Sequence, residues 1–390
     1  MRVLVLGGCG IQGQTAVYDL TRSEYVREVI CADAAAGGLE RIGRFADMSK
    51  VTRVGLDAGD PKSLQAVFRE ADVAIDLLPR HFAEPVCRAA IAAGVGVVNT
   101  NYGYPILGLH EAARQAGISI LPECGLDPGI DLVLYGQARR RFDELHVINS
   151  YCGGFPEAAA CDNPLKYKIS WTWEGVLAST KREARFIRNG QIVDIPPQLQ
   201  HETDLTHTLD FPGLGPLEAL PNGNAVFFTD LLGVTPTIRE TGRYSLRWPG
   251  WCAFWAPLKR LGFLDDTPVE GLPGGITPHQ FMTRHLEPRL QYADDEKDLV
   301  AMYNVFEGIR NGHRVRLTNW FLIERDLDTG ALAMSKGVGY PASIAAQMIA
   351  RGDITRKGVL TPIEDIPCEL FLHRLAGRGI IVHEKEEVLD

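Results

Sequence analysis

The chain has 390 residues, 45% of them hydrophobic and 23% charged, with a formal net charge of −9. That length suits two or three domains and a large core, which excludes disorder and fibrous structure. The acidic balance argues against nucleic acid, which needs a basic face.

The elements alternate at first. Strands are expected at Val3–Leu6, Glu28–Cys31, Thr52–Leu56, Val73–Leu77, Gly96–Asn99 and Ile118–Leu121. Amphipathic helices are expected between them, at Gln14–Leu20, Pro61–Glu70, Pro85–Ala93 and Leu109–Ala116. Strands separated by helices predict βαβ units and a doubly wound parallel sheet, an α/β Rossmann fold. After Pro128 the pattern changes. A helix is expected over Ile130–Phe142, then longer strands joined by tight turns. Asn189-Gly190 and Asn311-Gly312 predict two hairpins of type I′. Asp328-Thr-Gly330 predicts a turn into a strand at Ala331–Met334. A helix is expected near Trp251–Leu261, a surface loop over Asp265–Pro278, a helix opened by Pro341, and a last strand at Gly379–Glu384.

Gly8-Cys9-Gly10-Ile11-Gln12-Gly13 matches GxGxxG between the first strand and the first helix, and Asp33 follows Gly13 by twenty positions. Gly8 would permit the tight turn, Gly10 the approach of a pyrophosphate, and Gly13 close helix–strand packing. The helix N-terminus would supply N–H groups to the phosphates. Asp33 would accept the adenosine ribose hydroxyls and repel a 2′-phosphate. Ala34-Ala35-Ala36-Gly37 offers no arginine clamp. NAD is therefore expected in preference to NADP. Leu78 and Pro79 end the fourth strand at the crevice expected for nicotinamide. Asp57 ends the third, where it could reach adenine or serve a turn. A second match, Gly337-Val-Gly-Tyr-Pro-Ala342, lacks a following acid and reads as a structural loop between a strand and a helix.

The eight cysteines are scattered without a CxxC pair. No window reaches the roughly 18 apolar residues of a membrane span. The start is too short an apolar run for a signal peptide. A cytoplasmic, thiol-reduced protein is expected. His201, His207, His279 and His285 lack metal-ligand spacing and read as loop or surface histidines, so no metal is expected.

Longer strings carry a more specific resemblance. Glu123-Cys-Gly-Leu-Asp-Pro-Gly-Ile-Asp131 and Asp162-Asn-Pro-Leu-Lys-Tyr-Lys-Ile-Ser-Trp171 resemble the acidic GLDPG and DNPxxYKxSW segments of the saccharopine dehydrogenase family. Matching stretches run almost end to end. The family's TLRYxG segment stands here as Ser245-Leu-Arg-Trp-Pro-Gly250, and its SY pair as Asn101-Tyr102. These departures leave substrate identity open.

The resemblance implies a dinucleotide-binding domain over 1–127, an inserted, largely antiparallel α+β substrate and dimerisation domain over 128–340, and a return over 341–390. It implies a homodimer and hydride transfer at a C–N bond of an amino acid. Saccharopine is the expected substrate. Lysine 6-dehydrogenase and carboxynorspermidine dehydrogenase activities are the alternatives, and an NAD-binding redox sensor the non-enzymatic one. It places Tyr102, Asp127, Cys152, Gly153, Trp173 and Arg247 at the substrate. Arg247 would clamp a carboxylate through its planar fork, or form a structural ion pair. Asp127 would orient or deprotonate the reacting nitrogen, or cap the following helix. Lys168, expected with Lys166 on one strand face, could bind a carboxylate or lie on a solvated face.

Overall fold

The computed structural model describes residues 1–34, 43, 45–202, 204–271 and 273–389. The chain divides into two compact units, 1–137 with 328–381, and 138–327 with 382–390.

The first unit carries a seven-stranded parallel sheet. Its order is Gly358–Val359, Ser119–Leu121, Gly96–Asn99, Val73–Asp76, Arg2–Leu6, Glu28–Asp33 and Val51–Gly55. Six of these follow the doubly wound order, with the strand order reversing beside Arg2–Leu6. The seventh is two residues long and was not anticipated. Val3, Leu4, Val5 and Leu6 are fully buried, as are Val97 and Val98. Helices on both faces explain why these strands read as unbroken apolar runs.

Helix Ile11–Thr21 packs on the 19-residue helix Ala333–Arg351. Three expectations fail in that long helix. Ala331–Met334 is not a strand, Pro341 lies inside the helix rather than at its start, and Gly337–Ala342 is helix rather than loop. The glycine is there for packing. A Cβ on Gly339 would stand 2.9 Å from Ala16 N and 3.0 Å from Gln12 O. Thr15 Oγ1 donates to Ser335 Oγ at 2.9 Å across the same contact.

The second unit is built on a ten-stranded, mostly antiparallel sheet. Both type I′ hairpins form. Ala184–Arg188 meets Gln191–Ile195 through Asn189 and Gly190, with φ of 51° and 74°. Asp298–Arg310 meets His313–Glu324 through Asn311 and Gly312, with φ of 51° and 81°. One long pairing is parallel, between Glu144–Pro156 and Glu240–Arg247. The last strand is His383–Val388 rather than Gly379–Glu384, and it adds to the edge of His313–Glu324. Arg141 fixes it there through Glu384 and Glu386. Lys166 and Lys168 do not alternate on a strand. The segment from 161 to 171 has no regular structure, and Lys166 has φ of 47°.

Candidate functional site

In the first unit the glycine loop lies at the carboxyl ends of the strands. The left-handed residue is Gly7, with φ of 73°, so the turn freedom expected of Gly8 belongs to its neighbour. Gly8 is needed for space, because a Cβ would stand 2.5 Å from Cys31 Sγ. Gly13 is more constrained still, with a Cβ 2.1 Å from Gly7 O and 2.7 Å from Gly8 Cα. Gly10 is different. It is exposed, and its Cβ would meet Gly7 O alone, at 3.3 Å. The open side of the loop is therefore at Gly10. It caps helix Ile11–Thr21 without a side-chain hydrogen bond, which leaves the first-turn N–H groups oriented for an anion. Ile11 is exposed, and Gln12 Oε1 is buried without a partner among the described residues. These features fit a dinucleotide pyrophosphate.

Asp33 ends its strand half-buried, and its Oδ2 accepts the Cys9 N–H at 3.0 Å. The carboxylate is tied to the glycine loop. Asp57 is exposed and accepts the Gly59 N–H at 2.8 Å, a turn bond. The segment Ala35–Gly37 lies outside the described residues.

Beneath Leu78 and Pro79 is a polar ring that sequence reasoning missed. Asp76 Oδ1 accepts the Leu78 N–H at 3.1 Å, and Oδ2 accepts the Asn99 amide at 2.9 Å. Asn99 Oδ1 accepts the Asn101 N–H, and the Asn101 amide donates to Leu78 O at 3.4 Å. The ring joins the ends of two adjacent strands and fixes the backbone at Leu78 and Asn101. Burial pushes the fully enclosed Asp76 carboxyl up to about 7. Glu123 extends the arrangement. It is 2% exposed, has φ of 59°, and accepts the Gly103 N–H at 3.0 Å. Tyr102, between Asn101 and Gly103, is half-buried and stacks on Tyr104. Asp127 is half-buried before Pro128, while Asp131 rather than Asp127 accepts the Gly129 N–H, at 2.8 Å.

In the second unit the chemistry gathers around Arg247, the last residue of strand Glu240–Arg247. Arg247 is 7% exposed, and its Nη1 donates to Leu246 O at 2.7 Å. Its guanidinium lies 5.4 Å from the Tyr167 ring and 5.0 Å from the Trp251 ring. Among the described residues no carboxylate pairs with it, and its Nε is buried without a partner. Among the described residues Arg247 forms no structural ion pair. Burial lowers the Arg247 pKa. An enclosed cation without a counter-charge is costly unless an anion joins it.

Trp173 is 2% exposed and packs with Tyr167 and Trp255. The indole N–H groups of Trp173 and Trp255 and the Ser170 hydroxyl are also buried without partners among the described residues. Cys152 is buried on strand Glu144–Pro156, in register with Ser245. Gly153 is required by close approach of the neighbouring strand, because a Cβ would stand 2.1 Å from Leu246 O. Lys168 differs from Arg247. Burial opposes its charge, but its ammonium bonds Glu296 and Asp162, which hold its pKa up. That charge is already matched. His201 lies in a turn, within the loop-or-surface expectation, but is enclosed. It is 3% exposed. No cluster of His, Cys, Asp and Glu suits a metal, and no helix is long and apolar enough to cross a membrane, among the described residues.

Comparison with known proteins now adds its findings. The saccharopine dehydrogenase NADP binding domain matches residues 3–121, and the saccharopine dehydrogenase C-terminal domain matches residues 125–380. The chain is 27% identical to the mitochondrial alpha-aminoadipic semialdehyde synthase of Bos taurus, over 97% of this chain and 47% of that protein. It thus spans about half the length of the synthases it matches. It is 27% identical to saccharopine dehydrogenase [NADP(+), L-glutamate-forming] of Schizosaccharomyces pombe, over 100% of this chain and 99% of that one. These relatives named as dehydrogenases are oxidoreductases. The fold matches that of apo saccharopine dehydrogenase (L-Glu forming) from Saccharomyces cerevisiae, with a TM-score of 0.85 at 24% identity over 99% of both chains.

The preference for NAD is corrected by these findings. The matched domain is an NADP binding domain, and the fungal relatives carry NADP(+) in their names. The charge of Asp33 does not by itself decide the 2′ position, which the residues that follow it also line, and Ala35–Gly37 lie outside the described residues. The chain belongs to the saccharopine dehydrogenase family.

Proposed function

We propose that the chain is an NADP-dependent oxidoreductase that cleaves the C–N bond of saccharopine and releases L-glutamate. The observation that carries this reading is Arg247, a buried guanidinium beside the Tyr167 and Trp251 rings with no paired carboxylate among the described residues. An amino-acid carboxylate supplies the missing charge through two parallel hydrogen bonds. The unpaired N–H groups of Trp173 and Trp255 add donors in the same aromatic cluster.

Gly10 and the first turn of helix Ile11–Thr21 would hold the pyrophosphate, and Leu78 and Pro79 would border the nicotinamide. When bound, NADP⁺ supplies the hydride acceptor. Hydride leaves the amine-bearing carbon only when the nitrogen lone pair is free. Asp127 is the residue we assign to orient that nitrogen and take its proton. Water then adds to the imine carbon, and the C–N bond breaks to give the aldehyde and the amine of glutamate. A homodimer formed through the second unit and a cytoplasmic location belong to the same proposal. The eight cysteines, all free, support a reducing compartment.

The test is reduction of NADP⁺ and NAD⁺ with saccharopine, lysine or carboxynorspermidine as substrate. Glutamate release with NADP⁺ preferred is the expected result. Ammonia release from lysine would favour the lysine 6-dehydrogenase reaction instead. No turnover with any amine would leave a nucleotide-binding sensor.

A further inference from the structure

Two cysteines meet beneath the glycine loop of the first unit. Cys9 lies between Gly8 and Gly10 and is half-buried, and Cys31 is buried on strand Glu28–Asp33. They are 22 positions apart in the chain, yet their sulfurs stand 3.9 Å apart. Both are thiols. Gly8 makes the approach possible. A Cβ there would stand 2.5 Å from Cys31 Sγ, so the sulfur fills the space that a side chain at Gly8 would take. No part of the reading above uses the pair.

The backbone of Cys9 braces the same loop. Its N–H donates to Asp33 Oδ2 at 3.0 Å, and its carbonyl accepts from Gln14 Nε2 at 2.8 Å. The Gly7 N–H donates to Ala32 O at 2.9 Å. The loop is thus seated on the strand that carries Cys31, and Cys9 precedes Gly10, the open position of the loop. A disulfide requires the sulfurs to close to about 2.05 Å. Cys31 is held in the sheet between Val5 and Arg53 of the flanking strands. Most of the movement therefore falls on Cys9 and draws the loop toward the sheet.

We propose that Cys9 and Cys31 form a redox-modification site, in which hydrogen peroxide joins them as a disulfide and closes the glycine loop to the dinucleotide. Cys9 is the more exposed partner and reacts first. Its thiolate sulfur bonds one peroxide oxygen, the O–O bond breaks, and the departing hydroxide takes up the proton that Cys9 released. The Cys31 sulfur then attacks the Cys9 sulfur. The S–S bond forms as the S–O bond breaks, and the Cys31 proton leaves with that hydroxide as a second water. Two thiols lose two electrons, and one peroxide becomes two waters. Burial pushes the Cys31 thiol up, which keeps it protonated and leaves the first step to Cys9. The inference rests on the glycine loop as the dinucleotide site and is independent of the amine substrate.

The test uses the full chain. Reduced protein is treated with hydrogen peroxide, its peptides are mapped by mass spectrometry without reductant, and NADPH is titrated by fluorescence. A linked Cys9–Cys31 peptide should appear, and NADPH affinity should fall about tenfold and recover with dithiothreitol. By reciprocity, saturating NADPH should raise the reduction potential of the pair in a glutathione buffer by about 30 mV, the same tenfold for two electrons. Cys31→Ala should bind NADPH as wild type does before peroxide and lose less than about threefold after it. If Cys31→Ala does not fold, Cys31→Ser keeps a side chain of similar size and serves in its place. Absence of the linked peptide, a linked protein that binds NADPH as the reduced one does, or an equal loss in the Cys31 variant would overturn the proposal. Reduced wild-type protein that binds no dinucleotide would overturn the cofactor reading, with the linked peptide still deciding whether the pair forms.

Discussion

The Asp76 carboxylate holds Asn99 at 2.9 Å through one oxygen and the Leu78 N–H at 3.1 Å through the other. Two adjacent strand ends are thereby fixed by one side chain with no exposure to solvent. Its folded pKa, about 7, lies above the unfolded value near 3.9. The fold therefore keeps a proton that the unfolded chain has already released between those values. That contribution is full below about pH 4 and is lost as pH rises toward 7. Asp76→Asn removes it. Measured from pH 4.5 to 7.5, the melting temperature of Asp76→Asn relative to wild type should rise with pH. A constant difference would show that Asp76 does not titrate in this window.

Arg247→Lys should raise the KM for saccharopine at least tenfold, about 1.4 kcal/mol, and leave kcat within a few-fold. An ammonium replaces a planar fork and loses the guanidinium's contact with the Tyr167 and Trp251 rings. NADPH affinity, followed by fluorescence titration, should not change. An unchanged KM would remove Arg247 from the substrate.

The two glycines of the loop should separate stability from binding. Gly13→Ala places a methyl 2.1 Å from Gly7 O, a collision with backbone that cannot move aside cheaply. It should destabilise the protein by roughly 1–3 kcal/mol, as overpacking does. Gly10→Ala meets one atom at 3.3 Å and should fold normally, yet weaken NADPH about tenfold or more by keeping the pyrophosphate off the backbone. Urea titration and nucleotide titration on both variants provide the check.

Lys168→Met should act on stability. It strips the buried partner from Glu296, whose side chain is 20% exposed, and roughly 1–3 kcal/mol should be lost. In the variant that still folds, kcat should remain within threefold. A selective collapse of kcat with unchanged melting temperature would return Lys168 to the chemistry.

Local patterns determined a good deal of this protein. Val3–Leu6 and Val73–Asp76 are legible because strands buried on both faces must be apolar throughout. Asn189-Gly190 and Asn311-Gly312 are legible because few residue pairs tolerate two positive φ angles. The family strings singled out Arg247 and Asp127 as candidates, whereas the NAD reading drawn from the charge of Asp33 is overturned by the matched NADP binding domain.

Tertiary structure decided what depends on partners distant in the chain. Gly339 and Pro341 look like loop residues until helix Ile11–Thr21 packs against them. Asp76, Asn99 and Asn101 form a ring only because parallel strands bring their ends side by side. Lys168 and Arg247 are both buried cations, and sequence gives no means of ranking them. Folding supplies Glu296 and Asp162 to one and aromatic faces without a counter-charge to the other. Whether a charge is already neutralised is set by its neighbours in space, so the sequence named the cations and the fold determined which of them has a counter-charge among the described residues.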